Sequence, residues 1–245
     1  MSSTGVGSLP PADAAAHALV GDIDEPRLGD DAAHHLARVR RLRDGAQVTA
    51  TDGAGAWRPC RFSVSGDLEA DGDVVRVERP DPPITIAFAL TKGGKPELVV
   101  QKLTELGVDR ILAFRAEHSV VRWDDAKAAA QHARWEAISR AAVEQSRGVW
   151  LPTIEPVGDI GSVADLGACR LDRGGESPSL ARSVLAVGPE GGWSDEERER
   201  LPTVVECAVN VLRAETAALT AGGILCALRS GLVREPGDSS TERGK

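Results

Sequence analysis

The sequence predicts an α/β chain with a largely parallel sheet, preceded by a smaller and mostly β segment. Three observations carry this. From residue 84 onward, short apolar runs of strand length alternate with helix-period stretches, the pattern of strands joined by crossover helices. Before that point, short strand-like runs and Gly-rich turns surround a single helical stretch, which suits a small barrel carrying one helix. Between the two lies RPDPPI, residues 79–84, whose prolines favour an extended linker.

The elements follow in order. Residues 1–16 are rich in Ser, Gly, Ala and Pro and are expected to be mobile. HALV at 17–20 reads as a short apolar strand, and DDAAHHLARVRR as a helix opening at Asp30 or Asp31. AQVTATDG and AWRPCRFSV read as two strands around a Gly-rich turn, and DVVRVER as a further strand. Beyond the linker, ITIAFAL at 84–90 is a buried strand. PELVVQKLTELG is a helix with Pro96 in its first turn and Gly107 at its end. RILAF is the next strand, and Asp124 or Asp125 opens a long helix through AAVEQSRG. SVLAVG at 183–188 is another buried strand. Ser194 and Glu197 form a capping box for SDEERERL. VVECAVNV is expected as a strand and ETAALTAGGILCALRSG as a C-terminal helix. EPGDSSTERGK has the composition of a disordered tail. The expected division is therefore a mobile start at 1–16, a small domain at 17–79, an α/β domain at 80–233 and a disordered tail at 234–245.

Composition narrows the function. A chain of 245 residues can bury a core without disulfide or metal staples. No apolar run reaches the ~20 residues of a membrane helix, and the first residues carry neither the basic nor the apolar part of a secretory signal. Cys60, Cys169, Cys207 and Cys226 lie far apart with no CxxC or Cys/His cluster. That excludes a zinc site and a disulfide framework, and a reducing cytoplasm is the expected compartment. The net charge of −8 argues against unspecific coating of nucleic acid but not against a local basic patch. RVRRLR supplies one, with Arg38, Arg40, Arg41 and Arg43. Aromatic residues are only 3%, with no Tyr, which argues against a base-stacking sheet.

Four stretches can carry chemistry. GPEGG, Gly188–Gly192, follows a buried strand; ligands of α/β proteins sit at such strand ends, and glycines let the backbone approach them. The alternative is a tight strand-to-helix turn. The spacing is not GxGxxG, and TKGGKPE is not a P-loop. NVLRAETA, also at a strand end, offers Leu212 and backbone for an apolar slot, with Arg213 and Glu215 as charges and Thr216 at a helix start. AVEQSRG closes the long helix with Glu144 as an acceptor and Gln145 and Arg147 as donors, or is a solvated helix end with a Gly cap. Lys102 and Glu105 of KLTELGVDRI read as surface or packing residues.

As a set, GPEGG, LRAETA, EQSRG and QKLTELGV resemble the RsmE type of RNA methyltransferase, over roughly residues 17–233. The stretch HHLARVRRLRDG resembles that family's PUA-like RNA-binding domain. The resemblance implies a SPOUT-type, trefoil-knotted methyltransferase domain that uses S-adenosyl-L-methionine (SAM) and no metal. It implies methylation of N3 of a uridine in 16S ribosomal RNA of the 30S subunit, by a homodimer. The long helix at 124–148, with Trp135, is the expected dimer packing face. Leu90, the loop Gly188, Pro189, Glu190, Gly191 and Gly192, and Leu212, Glu215, Thr216 and Ala217 would bind SAM. The arginines of RVRRLR would bind RNA. Uracil N3 holds a proton at neutral pH, so the site must orient the imide, stabilise negative charge and accept a proton. Arg147 and Gln145 would orient and stabilise, Arg213 would add a second cation, and Glu144 would take the proton. The sequence departs from the family at AAHALV, where an Arg-Phe pair is usual, and at His118, where arginine is common; both bear on RNA contacts. Two other readings are a SPOUT ribose 2′-O-methyltransferase, separable by mapping the methylated atom, and a noncatalytic ribosome-assembly factor, which would not bind SAM.

Overall fold

A computed structural model describes residues 8–65, 67–92 and 95–234. Its described residues form two compact units. One holds those up to Arg79 together with Arg134–Pro152; the other holds Pro80–Ala133 and those from Thr153 onward. This grouping departs from the expected boundaries: residues 134–152, placed by sequence with the α/β domain, pack with the N-terminal unit.

The first unit is a five-stranded sheet in the order β1 (His17–Leu19), β2 (Ala46–Thr51), β3 (Ala56–Phe62), β4 (Leu68–Ala70), with β5 (Val75–Arg76) also paired to β3. β1 runs parallel to β2, and β2 runs antiparallel to β3 from Ala46↔Phe62 to Thr51↔Trp57. Between those two strands, Asp52 Oδ1 accepts from the Ala54 and Ala56 amides at 2.7 and 3.0 Å. Gly55 has φ +97°, and a Cβ there would fall 2.3 Å from the Trp150 ring, so only glycine fits. Val48, Ala50, Cys60 and Phe62 build the core with Leu36 and Leu68. Two expectations change here. DVVRVER pairs only at Val75–Arg76, and β4 was not foreseen because three residues show no periodicity. The expected helix is α1 (Asp30–His34) continued as one π-helical turn, His35–Val39, and Arg41 at φ +53° lies beyond its end.

The expected mobile start is held from Ser8 onward. Trp57 Nε1 donates to Ser8 O at 2.7 Å, and the Ala15 amide donates to Gln47 O at 2.8 Å. Residues 1–7, and residues 235–245 of the expected tail, lie outside the described residues.

The second unit is a six-stranded parallel sheet in the order β11-β9-β10-β6-β7-β8. These are β6 (Thr85–Ala89), β7 (Arg110–Arg115), β8 (Thr153–Asp159), β9 (Cys169–Glu176), β10 (Val184–Val187) and β11 (Val204–Val205). β6 is buried along its whole length, as a strand covered on both faces must be. The helices are α2 (Lys95–Leu106), α3 (Asp125–Ser146), α4 (Ile160–Asp165), α5 (Asp195–Arg200) and α6 (Ala214–Arg229). Ala87, Ala89, Leu112 and Phe114 pack with Val163 of α4, Trp193 and Leu201. On α6, Gly222 lets the helix approach: a Cβ there would meet Leu103 Cδ2 of α2 at 2.6 Å and Ile86 at 3.8 Å. The Ser194–Glu197 capping box is present on α5. Asp109 is buried and ion-paired with Arg229, and also accepts from the Ile84 amide at 2.8 Å.

Three differences from the sequence reading matter for function. VVECAVNV forms a ladder only at Val204–Val205; the rest is loop, with Val209 91% and Val211 79% exposed. β8 was missed because Pro156 and Gly158 break its pattern, which an edge strand tolerates. β9 was missed because its Arg, Asp and Gly residues hide the alternation. Within α3, the segment from Arg134 belongs to the first unit, where Trp135 is 1% exposed. Trp135 is thus buried within this chain.

Candidate functional site

The middle of β9, the carboxyl end of β10 and the loop from Glu206 to Leu212 line a cavity of about 280 Å³. β9 contributes Leu171, Asp172 and Arg173. β10 contributes Val187 and runs into Gly188, Pro189, Glu190 and Gly192. The 206–212 loop brings Glu206, Asn210 and Leu212, and α6 closes one wall with Ala214 and Ala217.

Local packing fixes this rim. Trp193 is buried, stacks on Phe114 with ring centroids 6.0 Å apart, and donates from Nε1 to Leu171 O at 3.1 Å. Its indole lies so close to Gly188 that a Cβ there would be 2.7 Å from the ring. A Cβ on Gly191 would fall 2.9 Å from His118 Cβ, and His118 Nδ1 lies 3.0 Å from Gly192 O. The Gly-rich loop is therefore clamped between an indole and an imidazole. Lys95 then joins it to α6: its ammonium is 3.1 Å from Glu190 and 3.2 Å from Glu215. These carboxylates, Glu190 first, raise the Lys95 pKa.

The cavity wall carries the carboxylates Asp172, Glu190 and Glu206 beside the cation Arg173. Asp172 pairs with Arg198 at 2.6 Å. Burial pushes Asp172 up, but the Arg173 amide and the Arg198 guanidinium more than offset it and hold the carboxyl below its usual range. Glu206 accepts from the Gly174 amide at 3.0 Å. Cys207 is pushed up to about 11 by burial, so its thiol is protonated at neutral pH and no nucleophile. Among the described residues, no His/Cys/Asp/Glu group could hold a metal ion.

The residues singled out by sequence fall in several places. Gly188, Pro189, Glu190, Gly192, Leu212 and Ala217 line the cavity; Gly191, Glu215 and Thr216 are not among its walls. Leu90 lines a recess of about 60 Å³ with His118, which shares Pro189 and Glu190 with the cavity. Arg213 borders a further opening beside Lys95, Glu190 and Leu212. Sequence reasoning missed Asp172, Arg173 and Glu206, because β9 went unrecognised and 204–211 was read as strand.

Glu144, Gln145 and Arg147 belong to the first unit. Glu144 Oε1 accepts from the Leu19 amide at 3.0 Å, and burial raises its pKa. Gln145 is exposed. Arg147 stands at φ +59°, and the Gly148 amide donates to Val143 O at 3.0 Å. This is a Schellman end with arginine, not Gly148, in the left-handed position. The Arg147 guanidinium donates from Nη2 to Ala14 O, while its buried Nη1 has no partner. Arg38, Arg40, Arg41 and Arg43 are all exposed, and Arg40 also donates to Ala15 O at 3.1 Å.

Known proteins share both halves of this arrangement. Residues 78–226 match the RNA methyltransferase domain family, and residues 28–75 match the RNA methyltransferase PUA domain family. The ribosomal RNA small subunit methyltransferase E of Mycobacterium bovis is 32% identical over 223 residues, covering 82% of this chain and 85% of the relative. That of Bacillus subtilis is 32% identical over 216 residues, covering 77% and 84%. The chain belongs to the ribosomal RNA small subunit methyltransferase E family. The solved methyltransferase E of Neisseria gonorrhoeae, bound to S-adenosyl methionine, superposes with a TM-score of 0.68 at 26% identity, over 82% of this chain and 90% of that one. A Legionella pneumophila protein solved with bound SAM gives 0.72 at 25% identity, over 86% and 96%. The chain carries a PUA domain followed by a SPOUT methyltransferase domain.

Proposed function

We propose that this chain transfers the methyl group of SAM to N3 of a uridine in 16S ribosomal RNA of the small subunit, acting in the cytoplasm as a homodimer with a trefoil-knotted catalytic domain. The observation that carries the reading is the cavity between the Gly188–Gly192 loop and the 206–212 loop, in a chain whose relatives are small-subunit ribosomal RNA methyltransferases. The residues fit the cofactor. Val187, Leu212, Ala214 and Ala217 offer apolar wall, the glycine backbone offers close amides and carbonyls, and the carboxylates Asp172, Glu190 and Glu206, of which Asp172 and Glu190 are paired to Arg198 and Lys95, offer acceptors to a sulfonium.

When bound, SAM supplies an electrophilic methyl on a cationic sulfur. The chain supplies the rest. Trp193 and His118 hold the Gly-rich loop in one shape, which preorganises the cavity. Arg213, beside Lys95 and Glu190, is the cation proposed to stabilise the uracil oxygens as N3 loses its proton. Exposed Gln145 is proposed to orient the imide; Arg147 is proposed to assist it, its guanidinium being held by Ala14 O with Nη1 buried. Glu144, whose pKa burial raises while its Oε1 accepts from the Leu19 amide, stays the proposed proton acceptor. The exposed Arg38–Arg43 cluster is proposed to hold the RNA backbone.

The test is methylation of free 16S RNA and of assembled 30S particles with labelled SAM, followed by nucleoside mass spectrometry. The expected product is 3-methyluridine. A methyl on the ribose would assign the chain to ribose 2′-O-methylation instead, and absence of SAM binding by calorimetry would leave an RNA-binding factor.

A further inference from the structure

Next to the cavity, on the same unit, lies a groove of about 430 Å³. Its walls carry three cations, Lys92, Arg122 and Lys127, against one carboxylate, Glu97. This excess is local, since the whole chain has a charge of −8. The nearby acids are engaged: Asp124 accepts from the Lys127 amide at 2.7 Å, and Asp125 pairs with Arg115 at 3.1 Å. Trp123 lines the groove, with the Lys127 ammonium 5.6 Å from its ring centroid. At the wall stands Thr91, only 9% exposed, whose hydroxyl is buried with no hydrogen-bond partner. A buried, unpaired hydroxyl costs free energy unless something completes it.

A small recess with shared walls links the groove to the proposed cofactor site. Thr91, Lys92 and Val120 also line the small recess, and that recess shares Pro189 and Glu190 with the main cavity. An RNA strand whose base is presented to the cavity must lead its neighbouring nucleotides somewhere. We infer that this groove receives the nucleotide flanking the methylated base, with its phosphate among Lys92, Arg122 and Lys127 and its base against Trp123. The inference rests on the reading of the cavity as the methyl-transfer site. Cations that reach phosphate add affinity without reading sequence, and an indole stacks any base.

The test uses the full chain and a short fluorescein-labelled single-stranded RNA containing uridine, followed by anisotropy over a range of salt. Arg122→Glu combined with Lys127→Glu should weaken binding about tenfold or more and lower the log–log salt slope by roughly 1.4, as for two lost phosphate contacts. Trp123→Ala should weaken it about fivefold or more with the salt slope unchanged. SAM affinity by calorimetry should stay within about twofold in each variant, since these residues do not line the main cavity. Where the charge-reversed chain does not fold, Arg122→Gln with Lys127→Gln gives the same reading. RNA affinity and slope equal to those of the unaltered chain would overturn the groove. Methyl transfer by the unaltered chain is measured alongside. Transfer with unchanged RNA binding in the variants refutes the groove alone; RNA loss in the variants with no transfer to 16S RNA or 30S particles by the unaltered chain refutes the methyltransferase reading and leaves the groove as an RNA surface with no methylated base beside it.

Discussion

At the scale of single residues, two buried polar groups set stability. His17 is buried; with Gly148 O accepting from Nε2 at 2.9 Å, its neutral form takes the Thr49 hydroxyl at Nδ1, 2.7 Å away. Burial lowers its pKa from 6.5 to about 4, with Arg147 also opposing the charge. The unfolded chain therefore binds a proton that the fold refuses. Stability from this group is full above pH 6.5 and is lost as pH falls toward 4, by roughly 3 kcal/mol in all. Urea unfolding between pH 7.5 and 4.5 should show this extra slope, and His17→Gln should remove it. Asp109 gives the second case. Asp109→Ala leaves Arg229 buried without its carboxylate and should cost roughly 3–5 kcal/mol, with much of the loss recovered when Arg229→Leu is added. Gly191 carries a different lesson. The sequence reading placed Gly191 in the SAM loop. A Cβ there would fall 2.9 Å from His118 Cβ, so Gly191→Val acts first by displacing His118 from the loop.

At the scale of elements, close approach and capping decide more than propensity. The α2–α6 contact depends on Gly222. Gly222→Val would drive side-chain atoms into Leu103 and should destabilise the chain by about 1–3 kcal/mol, seen as a lower denaturant midpoint. Ser194→Ala removes an N-cap that sequence alone identified and should cost about 1 kcal/mol. The element readings that failed share a cause. β8 and β9 are paired strands whose own residues look like loop, because Pro156, Gly158 and the charges of β9 are acceptable only given their neighbours in the sheet. VVECAVNV failed in the opposite direction: it looks like strand, but only Val204 and Val205 find a partner in β9.

At the scale of the whole molecule, an acidic chain must present RNA with local positive surface. Arg40→Glu with Arg43→Glu should weaken RNA binding and reduce its salt slope, while SAM affinity stays unchanged. Unchanged RNA affinity would make these arginines a solvated face and leave the Lys92, Arg122 and Lys127 groove as the RNA surface.

The sequence by itself determined the succession of most strands and helices, the capping box on α5 and the glycine loop at a strand end. Each of these is written locally, in hydrophobic period, in cap residues or in a run of glycines. Its ordered motifs also pointed to the family. Only the tertiary structure decided that residues 134–152 pack with the N-terminal unit, and that Glu144 is occupied by the Leu19 amide. It alone brought Asp172 and Glu206 to the cavity beside Gly188 and Leu212. The reason is physical: those contacts join residues far apart in the chain, and a charged side chain on an unrecognised strand has the same sequence signature whether it faces a ligand or water.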